Sequence, residues 1–263
     1  MDDARMHEET QQLSFVLQRL GVDVAAAATA SLGVSPFIAI VDRAIIENAS
    51  GARRLSDGVK QLSMEFLRHP LRFLHRREFR LVFGLYTATY ASANSIETLC
   101  DATDTDNQMP KFVGTTAVNM TLCIAKDRAF TQMFGVIAPA AFPLASVGLF
   151  AIRDSMTVAA SFNAPKIMAQ QLQEKAHVKP STSATISQLV CPAAVQFVST
   201  PLHLVGLDLY NHKGASMSQR LVFVQREYIK SVFARIARIG PAFGIGGVGN
   251  TYCRQRLRTA LSL

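Results

Sequence analysis

The chain has 263 residues, of which 49% are hydrophobic and 17% are charged, whereas an average soluble domain is about 25% charged. This composition favours a membrane protein. The net charge of +8 suits nucleic acid, an anionic membrane face or an anionic solute, but a Lys/Arg-rich arm and tryptophan are both missing, which argues against nucleic acid.

Residues 1–22 are predicted to form a polar N-terminal segment ahead of a single helical domain over residues 23–263. The start of the chain is acidic and resembles neither a secretory signal nor an Arg/Ser-rich transit peptide. Any targeting signal is therefore expected inside the chain.

Six segments without charge predict the transmembrane helices of an all-α protein. In chain order they are residues 24–41, 81–96, 112–125, 129–152, 180–207 and 239–253. Several are shorter than the ~20 apolar residues of a simple spanning helix, so we expect tilted helices extended by flanking residues. A soluble bundle with Ala-rich core helices is the alternative, but uncharged runs as long as 180–207 fit it poorly.

The loops between the first segments carry opposite charges. Residues 53–80 are rich in arginine, whereas residues 97–106 hold only acidic charges. This alternation indicates that segments one and two cross a bilayer, with the basic loop on the negative side; two surfaces of a soluble domain are the alternative. Apolar residues occur at intervals in the basic stretch, at Leu62, Phe66 and Phe73. The stretch is therefore predicted to be an amphipathic surface helix.

A spacing of 85 residues recurs along the chain. It relates Arg153 to Arg238, each beside an uncharged segment, and it relates residues 40–45 to residues 125–130. Such a period predicts three repeats, at about 23–103, 104–175 and 180–260. The repeated pairs are Asp42-Arg43 and Asp127-Arg128. The favoured interpretation is that each pair lies at a solvated helix end.

Further motifs carry little chemistry. The four cysteines are far apart and form no CxxC pair, so a zinc site or a disulfide framework is not expected. Residues 244–249 match GxGxxG literally, but only fourteen residues follow, too few for a dinucleotide-binding unit. Close packing of small residues between helices explains these glycines better. His203 is interpreted as a packing residue.

The three repeats, the six segments, the basic surface helix, and Pro36 and Pro201 inside the first and fifth segments resemble the mitochondrial carrier family. The resemblance covers about residues 24–257 and is best in the even helices, where Gly148-Leu149 is followed by Arg153-Asp154. It implies six tilted transmembrane helices in three pseudo-threefold helix-pair repeats, with short amphipathic surface helices, in a mitochondrial membrane, the inner one favoured over the outer.

The resemblance also implies a substrate site near mid-membrane. Carried over by position, its residues are Thr89, Arg153, Asp154 and Arg238. Two arginines across a cavity suit a carboxylate or phosphate, and Asp154 would meet the amine of an amino acid. The alternative is that Arg153 and Asp154 mark a helix end at the membrane interface. Catalytic residues, metal ions and cofactors are not expected.

These observations predict a transporter, not an enzyme, that moves a small polar or anionic solute, such as an amino acid or a carboxylate, by alternating access. Membrane lipids, with cardiolipin as a candidate, are the other expected partners, and the oligomeric state is left open. The alternative is a non-transporting scaffold, insertion or membrane-shape protein of the mitochondrial outer membrane. It is favoured by the odd helices, where only Lys126 supplies a charge of the expected carrier signature.

Overall fold

A computed structural model describes residues 2–135, 142–162 and 164–262, and these residues form helices joined by short turns, with no β-strand among them. The prediction of an all-helical chain is therefore confirmed. The helices are α1 (Asp2–Ala49), α2 (Leu55–Arg68), α3 (Pro70–Leu74), α4 (Arg77–Ala102), α5 (Gln108–Phe134), α6 (Leu144–Phe162), α7 (Ala164–Ala176), α8 (Pro180–Asn211), α9 (Met217–Ala237), α10 (Ile239–Pro241), a π-helix (Ala242–Val248) and α11 (Gly249–Ala260).

Two helices are long and apolar enough to cross a membrane, over Thr10–Ala49 and Pro180–Asn211. Helix α1 has 48 residues and includes most of the N-terminal segment predicted to be separate. At 1.5 Å per residue it is about 72 Å long, more than twice the ~30 Å hydrocarbon core of a bilayer. The predicted count of six spanning helices and the threefold repeat stay predictions.

The fourth uncharged segment, residues 129–152, does not form one helix. Helix α5 ends at Phe134, where Gly135 adopts an extended conformation (φ −73°, ψ 161°), and α6 begins at Leu144. The prediction of a single segment is wrong because lack of charge does not reveal where a helix ends. Residues 136–141 lie outside the described part of the chain.

The long helices pack in sequence around a central space. Helix α1 packs on α4, α4 on α5, α5 on α6, α6 on α8 and α8 on α9, and the π-helix and α11 return to α1. The apolar core lies between these helices and includes Val34, Phe130, Phe150 and Leu204, all fully buried. Helices α2 and α3 bury Leu62 and Phe73 and leave the arginines of the basic stretch largely at the surface.

Proline interrupts the hydrogen-bond ladders of α1 and α8, at Pro36 in α1 and at Pro192 and Pro201 in α8. Pro201 has no N–H, so the carbonyl of Phe197 loses its helical partner. The hydroxyl of Tyr228, on α9, donates a hydrogen bond to this carbonyl at 2.7 Å. The neighbouring helix thus replaces the bond that proline removes.

A buried ion cluster ties α1 to α4 and α11. Asp23 is completely buried, and its Oδ1 contacts Arg254 Nε at 2.6 Å and an Arg258 terminal nitrogen at 3.0 Å. Arg254 also contacts Glu97 at 2.7 Å, and Thr98 donates a hydrogen bond to Asp23. Because buried charges are stable only when paired, this cluster fixes three helices at one level of α1.

The π-helix approaches α4 closely at a glycine. The Tyr90 hydroxyl donates to the Ala242 carbonyl at 3.1 Å, and a Cβ on Gly246 would overlap that hydroxyl and lie 3.0 Å from Tyr90 Cζ. We expect Gly246→Ala to destabilise the protein by about 1–3 kcal/mol through overpacking. The measurement is the melting temperature of the detergent-purified protein.

The matched control for this prediction is Gly244→Ala in the same π-helix, where an added Cβ meets nothing within 4 Å. We expect its melting temperature to equal or exceed that of the unmodified protein, since alanine favours helix. Equal melting temperatures for the two variants would contradict the close approach to Tyr90.

Candidate functional site

The central space is a cavity of about 370 Å³, within the range of small-molecule sites. Residues from α4, α5, α6, α8, α9 and the π-helix line it. All four residues predicted to bind substrate, namely Thr89, Arg153, Asp154 and Arg238, are part of this lining. The structure thus brings them to one cavity, and their role in binding stays a prediction.

An unbroken chain of alternating charges runs along one side of the cavity. Arg238 contacts Asp42 at 2.5 Å, and Lys126 pairs with Asp42 and, at 2.7 Å, with Asp127. Arg153 then bridges Asp127 and Asp154, at 2.6 Å to each. These ion pairs join α1, α5, α6 and the end of α9.

The carboxylates of Asp42 and Asp127 do not lie at solvated helix ends. Asp42 is 4% exposed and Asp127 is 3% exposed, so the favoured sequence interpretation of both is wrong. Each lies well inside its helix, where neighbouring helices cover it. Sequence shows adjacent opposite charges, but it does not show which partner helices will enclose them.

Arg153 is the most connected residue of the site. Besides its two carboxylates, a terminal nitrogen lies 2.8 Å from His203 Nδ1, and its guanidinium lies 5.2 Å from the centre of the Phe150 ring. His203 is buried and its ring lies 5.4 Å from that of Phe150, so the histidine packs as expected and also holds Arg153. The alternative that Arg153 and Asp154 mark a helix end at the membrane interface is wrong, since both lie in the middle of α6.

Neutral polar groups line a second part of the cavity, on α4 and α5. Asn119 donates to the Thr89 hydroxyl at 3.2 Å, and the Thr115 and Thr116 hydroxyls are buried without a hydrogen-bond partner in the described chain. On α5, Asn119 precedes Lys126 by seven residues, about 10 Å at 1.5 Å per residue. The cavity therefore has a charged part and a neutral, hydrogen-bonding part.

Among the charged residues that line the cavity, Arg235 was not singled out by the sequence analysis. Arg235, on α9, lines the cavity and is 7% exposed, and its Nε donates to Gln196 Oε1 at 2.9 Å. Its sequence signal is the spacing to Arg238, because residues three apart share one face of a helix. Gln196 likewise stands out as an amide inside an uncharged run.

The described residues contain no group of three or more His, Cys, Asp or Glu side chains that could hold a metal ion. The four cysteines are free. The chemistry that the lining offers is therefore recognition of a polar solute through charge, hydroxyl and amide groups.

Long apolar helices around a charged cavity define a helical membrane protein that accommodates a small polar solute. Within that class the chain belongs to the probable citrulline exporter family, whose model matches residues 26–258. This membership indicates a solute transporter. No curated protein and no solved structure matches the chain.

The family match shows that the resemblance to the mitochondrial carrier family is wrong. Uncharged segments, prolines inside helices and small residues are features that membrane helices of many transporters share. The specific carrier signature was incomplete, since Pro36 is followed by Ile38 and Val41 where charges would be required. The predicted mitochondrial location and lipid partners stay predictions.

Proposed function

We propose that the protein exports citrulline, a zwitterionic amino acid with a neutral, hydrogen-bonding ureido side chain, through the central cavity. The observation that carries this proposal is the division of the cavity lining. Charged groups of both signs, among them Asp154, Arg153 and Arg235, line the cavity together with neutral groups on α5. Of these neutral groups, Asn119 precedes Lys126 by seven residues, about 10 Å along the helix. Membership of the probable citrulline exporter family supports the same solute.

Asp154 is the residue best placed to accept the ammonium group. Its Oδ1 is held by Arg153, whereas its Oδ2 is buried and accepts no hydrogen bond within the described chain. A buried carboxylate oxygen without a donor is unfavourable, so a solute ammonium beside it would relieve that cost. The ureido group would then meet the amide and hydroxyl groups of Asn119, Thr115 and Thr116.

The test is efflux of labelled citrulline from liposomes that contain the purified protein. We expect saturable efflux that unlabelled citrulline and the neutral amide glutamine inhibit, and that ornithine and glutamate inhibit weakly, because the neutral part of the cavity offers their charged side chains no counterion. Efflux indistinguishable from that of protein-free liposomes would overturn the proposal and favour a non-transporting scaffold.

Asp154→Asn gives the residue-level prediction. The variant keeps the shape of the side chain and removes the charge that the ammonium requires, so we expect the half-saturating citrulline concentration to rise about 10- to 100-fold. Asp104→Asn, in the exposed turn between α4 and α5, is the matched control and should leave it unchanged. An unaltered half-saturating concentration in Asp154→Asn would show that Asp154 does not bind the ammonium group.

A further inference from the structure

Arg235 differs from the other cations of the cavity in having no acidic partner. Lys126, Arg153 and Arg238 each contact at least one carboxylate. Across the described chain, no carboxylate oxygen lies within 4.0 Å of the Arg235 guanidinium, which hydrogen bonds only to the neutral amide of Gln196. Among the described residues of the cavity, Arg235 is therefore a buried cation that no carboxylate contacts directly.

Gln196 fixes the orientation of this guanidinium. Its Oε1 accepts from Arg235 Nε at 2.9 Å and from the Ser199 hydroxyl at 3.4 Å, and its Nε2 donates to the Pro192 carbonyl at 2.9 Å. Gln196 is 5% exposed, so both ends of the amide are held inside the fold. One edge of the guanidinium is thus occupied, and its two terminal nitrogens remain without a hydrogen-bond acceptor in the described chain.

A buried cation without a counterion is costly, and a planar guanidinium with two free terminal nitrogens matches the two oxygens of a carboxylate. Such paired hydrogen bonds are among the strongest that proteins make. Protein carboxylates already contact terminal nitrogens of the other two cavity arginines, Arg153 and Arg238. The Arg235 guanidinium therefore has the geometry of a receptor that suits a solute carboxylate.

We propose that the terminal nitrogens of Arg235 bind the carboxylate of the transported solute as a bidentate pair. The inference deepens the proposed function and rests on it for the identity of the solute. Asp154 and Arg235, which line the same cavity, then hold the two charged groups of one amino acid, and Gln196 is the positioning residue that aims the arginine.

The experiment compares carboxylates with their primary amides, using thermal stabilisation of the detergent-purified protein to measure binding. The pairs are citrulline with citrullinamide, glutamine with glutaminamide, and butyrate with butyramide. We expect the unmodified protein to bind each acid more tightly than its amide. In Arg235→Gln the affinity for the acids should fall about 10- to 100-fold, with little change for the amides. Arg235→Lys, which keeps the charge and loses the fork, should be intermediate.

Two further variants separate recognition from folding. Gln196→Glu supplies an internal carboxylate to Arg235, so it should abolish the preference for acids. The new ion pair should offset the lost hydrogen bond to the Pro192 carbonyl, so we expect a melting temperature close to that of the unmodified protein. Arg226→Gln is the matched control, because this arginine lies on the same helix with its side chain 67% exposed. It should keep the full preference for acids.

The outcomes distinguish the two proposals. If citrulline is transported and Arg235→Gln keeps its preference for acids, the receptor inference is overturned and the proposed function stands. If citrulline neither binds nor moves, but other acids bind in a manner that depends on Arg235, the proposed solute is wrong and the receptor stands. If no acid binds the unmodified protein more tightly than its amide, the receptor inference is overturned.

Discussion

Replacing Lys126 with methionine is expected to destabilise the protein by about 3–5 kcal/mol, because the change leaves two buried carboxylates facing each other without the cation between them. Asp42 and Asp127 both contact this ammonium, and it is 6% exposed. For a chain of this size the melting temperature should fall by roughly 6–20 °C. Thermal unfolding in detergent measures the effect.

Two comparisons make this prediction specific. The double variant Lys126→Met/Asp127→Asn should recover much of the loss, because it leaves Asp42 paired with Arg238 and Arg153 paired with Asp154. Lys111→Met removes a lysine whose side chain is 39% exposed, so it should cost less than about 1 kcal/mol. A double variant no more stable than the single one would show that charge pairing is not the cause.

The second large effect is expected for Asp23→Asn. This change removes the charge that holds Arg254 and Arg258, and Arg258 then has no carboxylate partner within the described chain. Breaking a buried pair in this way costs about 3–5 kcal/mol. Because α1, α4 and α11 meet at Asp23, we expect a lower melting temperature together with a smaller monodisperse fraction on size-exclusion chromatography.

Asp101→Asn is the control for Asp23. Its side chain is 41% exposed and lies 3.6 Å from Arg19, so solvent screens the pair and the change should cost at most about 1 kcal/mol. Similar melting temperatures for the Asp23 and Asp101 variants would mean that the buried cluster does not hold the three helices together.

The helical character of the chain could be predicted because uncharged runs of this length have few soluble alternatives. Helix ends were harder to place. Gly135, within the fourth run, lies where α5 ends, whereas Gly244, Gly246 and Gly247 lie inside a π-helix that begins with Ala242. Gly246 lies against Tyr90, and such a contact across 156 residues leaves no local pattern.

The charged part of the site was predictable to the extent that a charge within an apolar helix is informative. Arg153, Asp154 and Arg238 could be singled out on that ground, and all of them line the cavity. Their partners could not, because pairing depends on which helices meet. Arg235 was missed for a related reason: no described carboxylate contacts it, and only the three-dimensional arrangement reveals this.

The hydrogen bond that α8 lacks at Pro201 is replaced from outside the helix, by the Tyr228 hydroxyl. A helix whose stiffness depends on a neighbour can be loosened or tightened by one side chain that does not line the cavity. A substitution at Tyr228 therefore changes how readily α8 bends, while the side chains that line the cavity remain unchanged.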